Sequence, residues 1–171
     1  RTVRTLLTAA RMKRVDTSKV VFEDGVAMWQ QGDASLYTDE AVHKRAAVRH
    51  DAAVLKLLHL WWETALRSMR RSSQAGDTDH SLSKEEYVGM MKKIYKVMID
   101  EYDEEDALEC AEEDWEKDAR GSNTLSRELF CDAIFELADI WTRTCERQEY
   151  VDFLSMLHEA IAVKVDDDEY V

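Results

Sequence analysis

Apolar residues recur at helical spacing along nearly all of the 171-residue chain, and few windows alternate apolar with polar as a half-buried strand would. The chain therefore reads as all-α. A short basic amphipathic segment covers residues 3–13, with Val3, Leu6, Leu7 and Ala10 on its apolar face, and a second short helix covers residues 22–31, ending at Gly32. Thr38 or Asp39 then caps a long helix to about residue 70. Its apolar stripe is Val48, Leu55, Leu58, Trp62, Ala65 and Met69. Val54, Leu57 and Trp61 lie off that stripe, so this central helix is expected to be packed on more than one side, as the spine of the domain. After the polar stretch RRSSQAGDTDHS, further helices are expected from Ser83 to about residue 100, over 103–117, from Ser126 to about residue 142 and over 146–163. The run DDDE at 166–169 reads as a frayed tail. The sequence contains no proline and only five glycines, so long uninterrupted helices meet few breakers. The expected organisation is an N-terminal helical extension (1–37), a helical domain (38–165) and an acidic tail (166–171).

One phrase occurs twice, forty-three residues apart: LSKEEY at 82–87 and LSRELF at 125–130. The correspondence extends past the phrase, because the same offset carries Tyr87 to Phe130, Met91 to Ile134, Ile94 to Leu137 and Met98 to Trp141. Two helices thus bury the same face in the same register, the mark of an internal repeat. Ser83 with Glu86 is also a Ser-x-x-Glu capping box and Ser126 a plain Ser cap. Helix starts alone explain those polar letters; they do not explain the matched apolar faces.

The repeated form is a helix, a polar loop holding one apolar residue, and a Ser-capped helix, and it resembles a pair of EF-hands, the helix-loop-helix calcium-binding unit of calmodulin-like lobes. The resemblance implies an EF-hand-like domain over 38–165. In that family a loop of about twelve residues supplies oxygens at positions 1, 3, 5, 7, 9 and 12, the last a bidentate Glu. Leu82 and Leu125 match the apolar position 8, whose backbone pairs with its twin in the neighbouring loop. On that alignment the first loop offers Asp77, Asp79, Ser81 and Glu86, but Ala75 stands at position 1 and His80 replaces the sharp-turn glycine. The second offers Asp118, Ser122, Thr124 and Ser126, with Arg120 at a ligand position and Leu129 in place of the bidentate Glu. A hard dication needs several oxygens and negative charge, so the second loop is expected to be empty. The apolar phase before each loop ends early, at Met69 and at Trp115 after Leu108 and Ala111, which predicts two stretched loops. The run FELADIWT at 135–142 is similar to sequences in EF-hand-like proteins of flagellated protists. That similarity implies a cytoplasmic, cytoskeletal or flagellar setting.

Such a pair encloses an apolar groove, here lined by Met90, Met91, Met98, Ile134, Leu137 and Trp141, and Met-rich grooves accept amphipathic helices. The chain carries its own candidate occupants in the last helix (Tyr150, Phe153, Leu154, Leu157, Ile161) and the first. Self-occupancy is favoured, because an unfilled groove invites aggregation.

Charge narrows the function classes. The net charge of −13 argues against a nucleic-acid surface, which needs Lys and Arg to neutralise phosphates. Residues 1–14 carry five bases and no acid, whereas residues 100–118 carry twelve acids against Lys117 alone. The acidic block reads as a solvated face, with docking of a basic partner as the alternative. No stretch approaches the roughly 20 apolar residues of a membrane span, and the start lacks a signal peptide's apolar centre. Arg at residue 1 points to a piece of a longer chain. The three cysteines have no metal-site spacing and read as reduced core residues. His43, His50 and His59 lack the spacing of a two-His metal site, and no Gly-rich phosphate loop or nucleophile motif occurs, so no enzyme activity is expected. The expected function is an EF-hand-like protein-interaction or structural module with mostly degenerate loops, without a cofactor or with calcium, meeting a basic or amphipathic helix. The alternative is a calcium sensor using residues 75–86.

Overall fold

The computed structural model describes residues 38–72, 81–99, 102–162, 164–166 and 169–170. Helix α1 (Asp39–Arg49) begins at Thr38, whose hydroxyl accepts the Ala41 amide at 3.2 Å. The long helix expected from here to residue 70 is in fact two. At His50 the backbone leaves the helical region, and the Asp51 carboxylate takes the free amides of Ala53 and Val54 at 2.8 and 3.4 Å. That side chain starts α2 (Ala52–Ser72) as an N-cap does. The remaining helices follow the sequence closely: α3 (Lys84–Met98), α4 (Glu104–Asp118), α5 (Arg127–Trp141) and α6 (Arg147–Ile161). Where the sequence suggests a frayed tail, Lys164–Asp166 (β1) pairs antiparallel with Glu169–Tyr170 (β2). The expected helices over 3–13 and 22–31 lie outside the described residues.

α2 is the spine. Its buried face is Val54, Leu58, Trp61, Trp62 and Leu66, a stripe shifted from the one that spacing alone suggests, and Leu55 turns to solvent. The Trp62 ring meets Phe130 of α5 at 5.3 Å, and the Trp61 indole N–H donates to the Leu154 carbonyl of α6 at 3.2 Å. α1 is tied to α5 by Arg45 with Asp139 and by Arg49 with Asp132, the Arg49 guanidinium also lying over the Phe135 ring.

α3 and α4 form the other close pair. The Tyr87 hydroxyl donates to Asp118 at 2.5 Å and the Tyr95 hydroxyl to Asp114, while the Tyr87 ring sits edge-on to Trp115. Lys92 with Glu104 and Lys84 with Glu116 add surface ion pairs, each contributing only tenths of a kcal/mol, about 1 at most. The buried face of α4 is Ala107, Cys110, Ala111 and Trp115, continuing into Ala119; Leu108 is exposed. α6 packs on α2, α3 and α5 together, with Tyr150, Leu154 and Leu157 fully buried.

Candidate functional site

Leu82 and Leu125 are joined backbone to backbone. The Leu82 amide donates to the Leu125 carbonyl at 3.0 Å and the Leu125 amide returns a bond to the Leu82 carbonyl at 2.8 Å, an antiparallel bridge with both side chains buried. Everything after the bridge repeats. α3 and α5 have 15 residues each, and their bounds differ by the same forty-three. Ser83 and Ser126 have nearly equal backbone angles (φ −75°, ψ 166° and φ −70°, ψ 164°), and each side chain accepts the amide three residues on, at Glu86 and Leu129. At the far ends the Ile99 amide closes on the Tyr95 carbonyl and the Thr142 amide on the Ala138 carbonyl, again the same offset. Burial matches too: Tyr87 and Phe130 are fully buried, Met91, Ile134, Ile94 and Leu137 buried, Met98 and Trp141 half-buried.

The helices that lead into the loops correspond with a different offset. Adding forty-six carries Trp61, Thr64 and Ala65 to Ala107, Cys110 and Ala111, all buried or nearly so, and carries the end of α2 to the end of α4. Between the matched positions, Ala65 to Tyr87 in the first unit is therefore three residues longer than Ala111 to Phe130 in the second. The second link is not stretched as the apolar phase suggested: Ala119 continues the buried face one turn past Trp115, and α4 runs on to Asp118.

The candidate oxygen donors sit as follows. Asp77 and Asp79 lie outside the described residues. Ser81 is half-buried beside the bridge. Glu86 completes the capping box, its Oε2 accepting the Ser83 amide at 2.8 Å. Asp118 ends α4 with its carboxylate against the Tyr87 hydroxyl; burial holds its pKa above the usual carboxylate value, the Tyr87 bond opposing. Ser122 and Thr124 are exposed, the Ser122 hydroxyl accepting the Thr124 amide at 3.3 Å. The turn between them and α4 is made by Arg120 and Gly121, both at positive φ (51° and 83°), and the Arg120 guanidinium reaches out to Asp132 at 3.1 Å. Gly121 is where that left-handed turn favours glycine. Among the described residues no three His, Cys, Asp or Glu side chains come together as a metal-binding group.

Of the groove residues, Met91, Ile134 and Leu137 are buried and Met90, Met98 and Trp141 pack half-buried against the same core. α6 packs against both helices that carry them. Phe135 stacks on Tyr150 at 5.4 Å, and the Tyr150 hydroxyl donates to Asp139. The last helix, the favoured occupant, packs on the two helices that carry the groove residues, while the alternative from residues 3–13 lies outside the described residues.

The polar pins of this core are not legible in the sequence. Tyr87 and Tyr95 lie eight residues apart on one face of α3, and Asp114 and Asp118 lie one turn apart on α4, a spacing that in the sequence alone reads as apolar filling and solvated acid. Burial, reinforced by those carboxylates, pushes both phenol pKa values well above the ordinary range. His158, on the last helix, is likewise buried. The Thr64 hydroxyl donates to the Leu60 carbonyl at 2.8 Å, so in its 2.9 Å contact with His158 Nε2 the ring is the donor. Burial lowers the His158 pKa, with Glu159 opposing. Cys110, Cys131 and Cys145 are free thiols, and burial raises the pKa of Cys131, the reverse of what a reactive thiolate needs.

The chain was compared with models of known protein families, with curated proteins and with solved structures, and it matches none of them.

Proposed function

We propose that this chain is an EF-hand-like structural or protein-interaction module, non-enzymatic, whose two loops hold the scaffold together rather than a metal. The observation that carries this is the reciprocal Leu82–Leu125 bridge between two helix-loop-helix units of matching register. Paired loops of this kind support a common origin with calcium-binding lobes, while the donor set argues for lost affinity. Arg120 stands where an oxygen is needed, Leu129 replaces the bidentate Glu, and the Asp118 carboxylate faces Tyr87. With α6 seated on the groove, a partner meets the outer surface. The exposed acids of α4 (Glu105, Glu109, Glu113) present that surface to a basic protein segment. A cytoskeletal or flagellar setting belongs to the same proposal and rests on the FELADIWT similarity.

A calcium sensor built on the first loop is the second reading, favoured by Glu86, which occupies the first turn of α3 just past the bridge, where a bidentate ligand belongs. One calorimetric experiment separates the two. A ligand at about a hundred times its Kd stabilises a folded protein by about 2.7 kcal/mol, several degrees in Tm for a chain of this size. The expected result is an unchanged Tm in calcium and in magnesium. A rise of several degrees that disappears in Glu86→Gln would overturn the structural module and establish the sensor.

A further inference from the structure

A pocket of about 200 Å³ opens between α2, α3 and α6, on the side of the molecule where the first loop joins α3. Trp61, Ala65, Leu82, Met90 and Ile161 make its apolar wall. The one buried polar pair in that wall, Thr64 with His158, is closed on itself and on the Leu60 carbonyl. Gly89 forms part of the α3 side, and a Cβ placed there would meet nothing within 4 Å. Two opposite charges reach the pocket. Glu86 has one oxygen held by the Ser83 amide at 2.8 Å, whereas Lys93 makes no ion pair among the described residues.

We propose that this pocket binds a small amphipathic anion, a single aromatic ring system or short chain bearing a carboxylate or sulfonate, with its apolar part against Trp61 and Met90 and its charge at Lys93. The volume decides the size class: an apolar cavity of about 150 Å³ accepts benzene, and a partner helix needs a groove for several anchors one turn apart rather than one recess. The available cation decides the sign. Of the acid that also lines the pocket, Glu86, one oxygen is turned to the Ser83 amide, and charges more than about 8 Å away are screened at physiological salt. The inference stands on this pocket alone and holds whether or not either loop ever bound calcium.

The test titrates the full chain calorimetrically with 2-naphthoate and with 2-naphthylmethylamine, equal rings with opposite charges. The anion is expected to bind once per chain, about fivefold more tightly than the amine, the scale of one partly exposed charge contact. In Gly89→Leu the new side chain fills the recess, and leucine suits a helix better than glycine. Binding should therefore fall by more than about tenfold with Tm kept. Lys93→Glu, at an exposed position, should reverse the preference between the two probes without altering the fold. Equal binding of both probes to the parent chain, undiminished naphthoate binding in Gly89→Leu, or an unreversed preference in Lys93→Glu overturns the proposal. So does failure of naphthoate to bind while an amphipathic helical peptide binds and is blocked by Gly89→Leu, which would make the recess an anchor site for a protein.

Discussion

At the scale of single residues, the buried polar groups carry the chemistry that can be measured. His158 is held neutral by burial, its Nε2 proton given to Thr64, so its folded pKa lies below the ordinary imidazole value of about 6.5. Above that value both folded and unfolded chains carry the neutral ring. Between the lowered folded pKa and 6.5 only the unfolded chain takes the proton, so stability falls as pH drops through this window. Thermal melts from pH 7.5 down to 5.5 should show that loss, reduced in His158→Gln relative to the parent chain. Equal slopes in the two proteins would mean other groups set the pH dependence. The same residue shows why the candidate site was only partly legible: the lone histidine on an apolar face gave no sign of Thr64, ninety-four positions earlier, as its partner. Likewise Asp118 matched a ligand position by counting, but counting does not reveal that Tyr87 faces its carboxylate.

At the scale of elements, side chains at helix ends decide the boundaries. The break between α1 and α2 depends on Asp51, whose carboxylate serves two amides of the new first turn. Asp51→Ala should lower stability by about 1 kcal/mol, as loss of an N-cap does, or about 3 °C in Tm. Asp51→Asn, which keeps the accepting oxygen, should restore most of it. A melt of Asp51→Ala indistinguishable from the parent chain would show that packing of Val54 and Leu58 alone starts α2. The bounds of α3, α4 and α5 are readable to within a few residues, because Ser83, Asp103 and Ser126 are strong caps in front of clear apolar periods, and those of α6, whose Glu146 makes no cap bond, from its apolar period alone. The α1–α2 junction was not, since Asp51 stands within an unbroken helical pattern where an acid also reads as a surface residue. Leu55 and Leu108 misled for a related reason: each sits beside the true stripe, and only the tertiary partner chooses between neighbouring stripes.

At the scale of the whole molecule, charge and pairing set behaviour together. With a net charge of −13 the folded chain repels itself, and that repulsion is screened as the Debye length shrinks from about 30 Å at 0.01 M salt to about 3 Å at 1 M. Tm should therefore rise by a few degrees as sodium chloride increases over that range, because the ion pairs that salt weakens are at least partly exposed and of small value. A Tm that falls with salt would instead show that Lys84, Lys92 and Arg49 contribute more through their pairs than the net charge costs. The Leu82–Leu125 bridge has a further consequence for motion. Each amide proton is held by the other residue's carbonyl, so parting the two segments at this bridge exposes both protons together. In deuterium exchange the two protons should disappear in step, with protection factors within about threefold of each other. If one is lost far sooner, the two loops open separately; if they leave together, whatever disturbs one loop is felt by the other without any rearrangement of the helices.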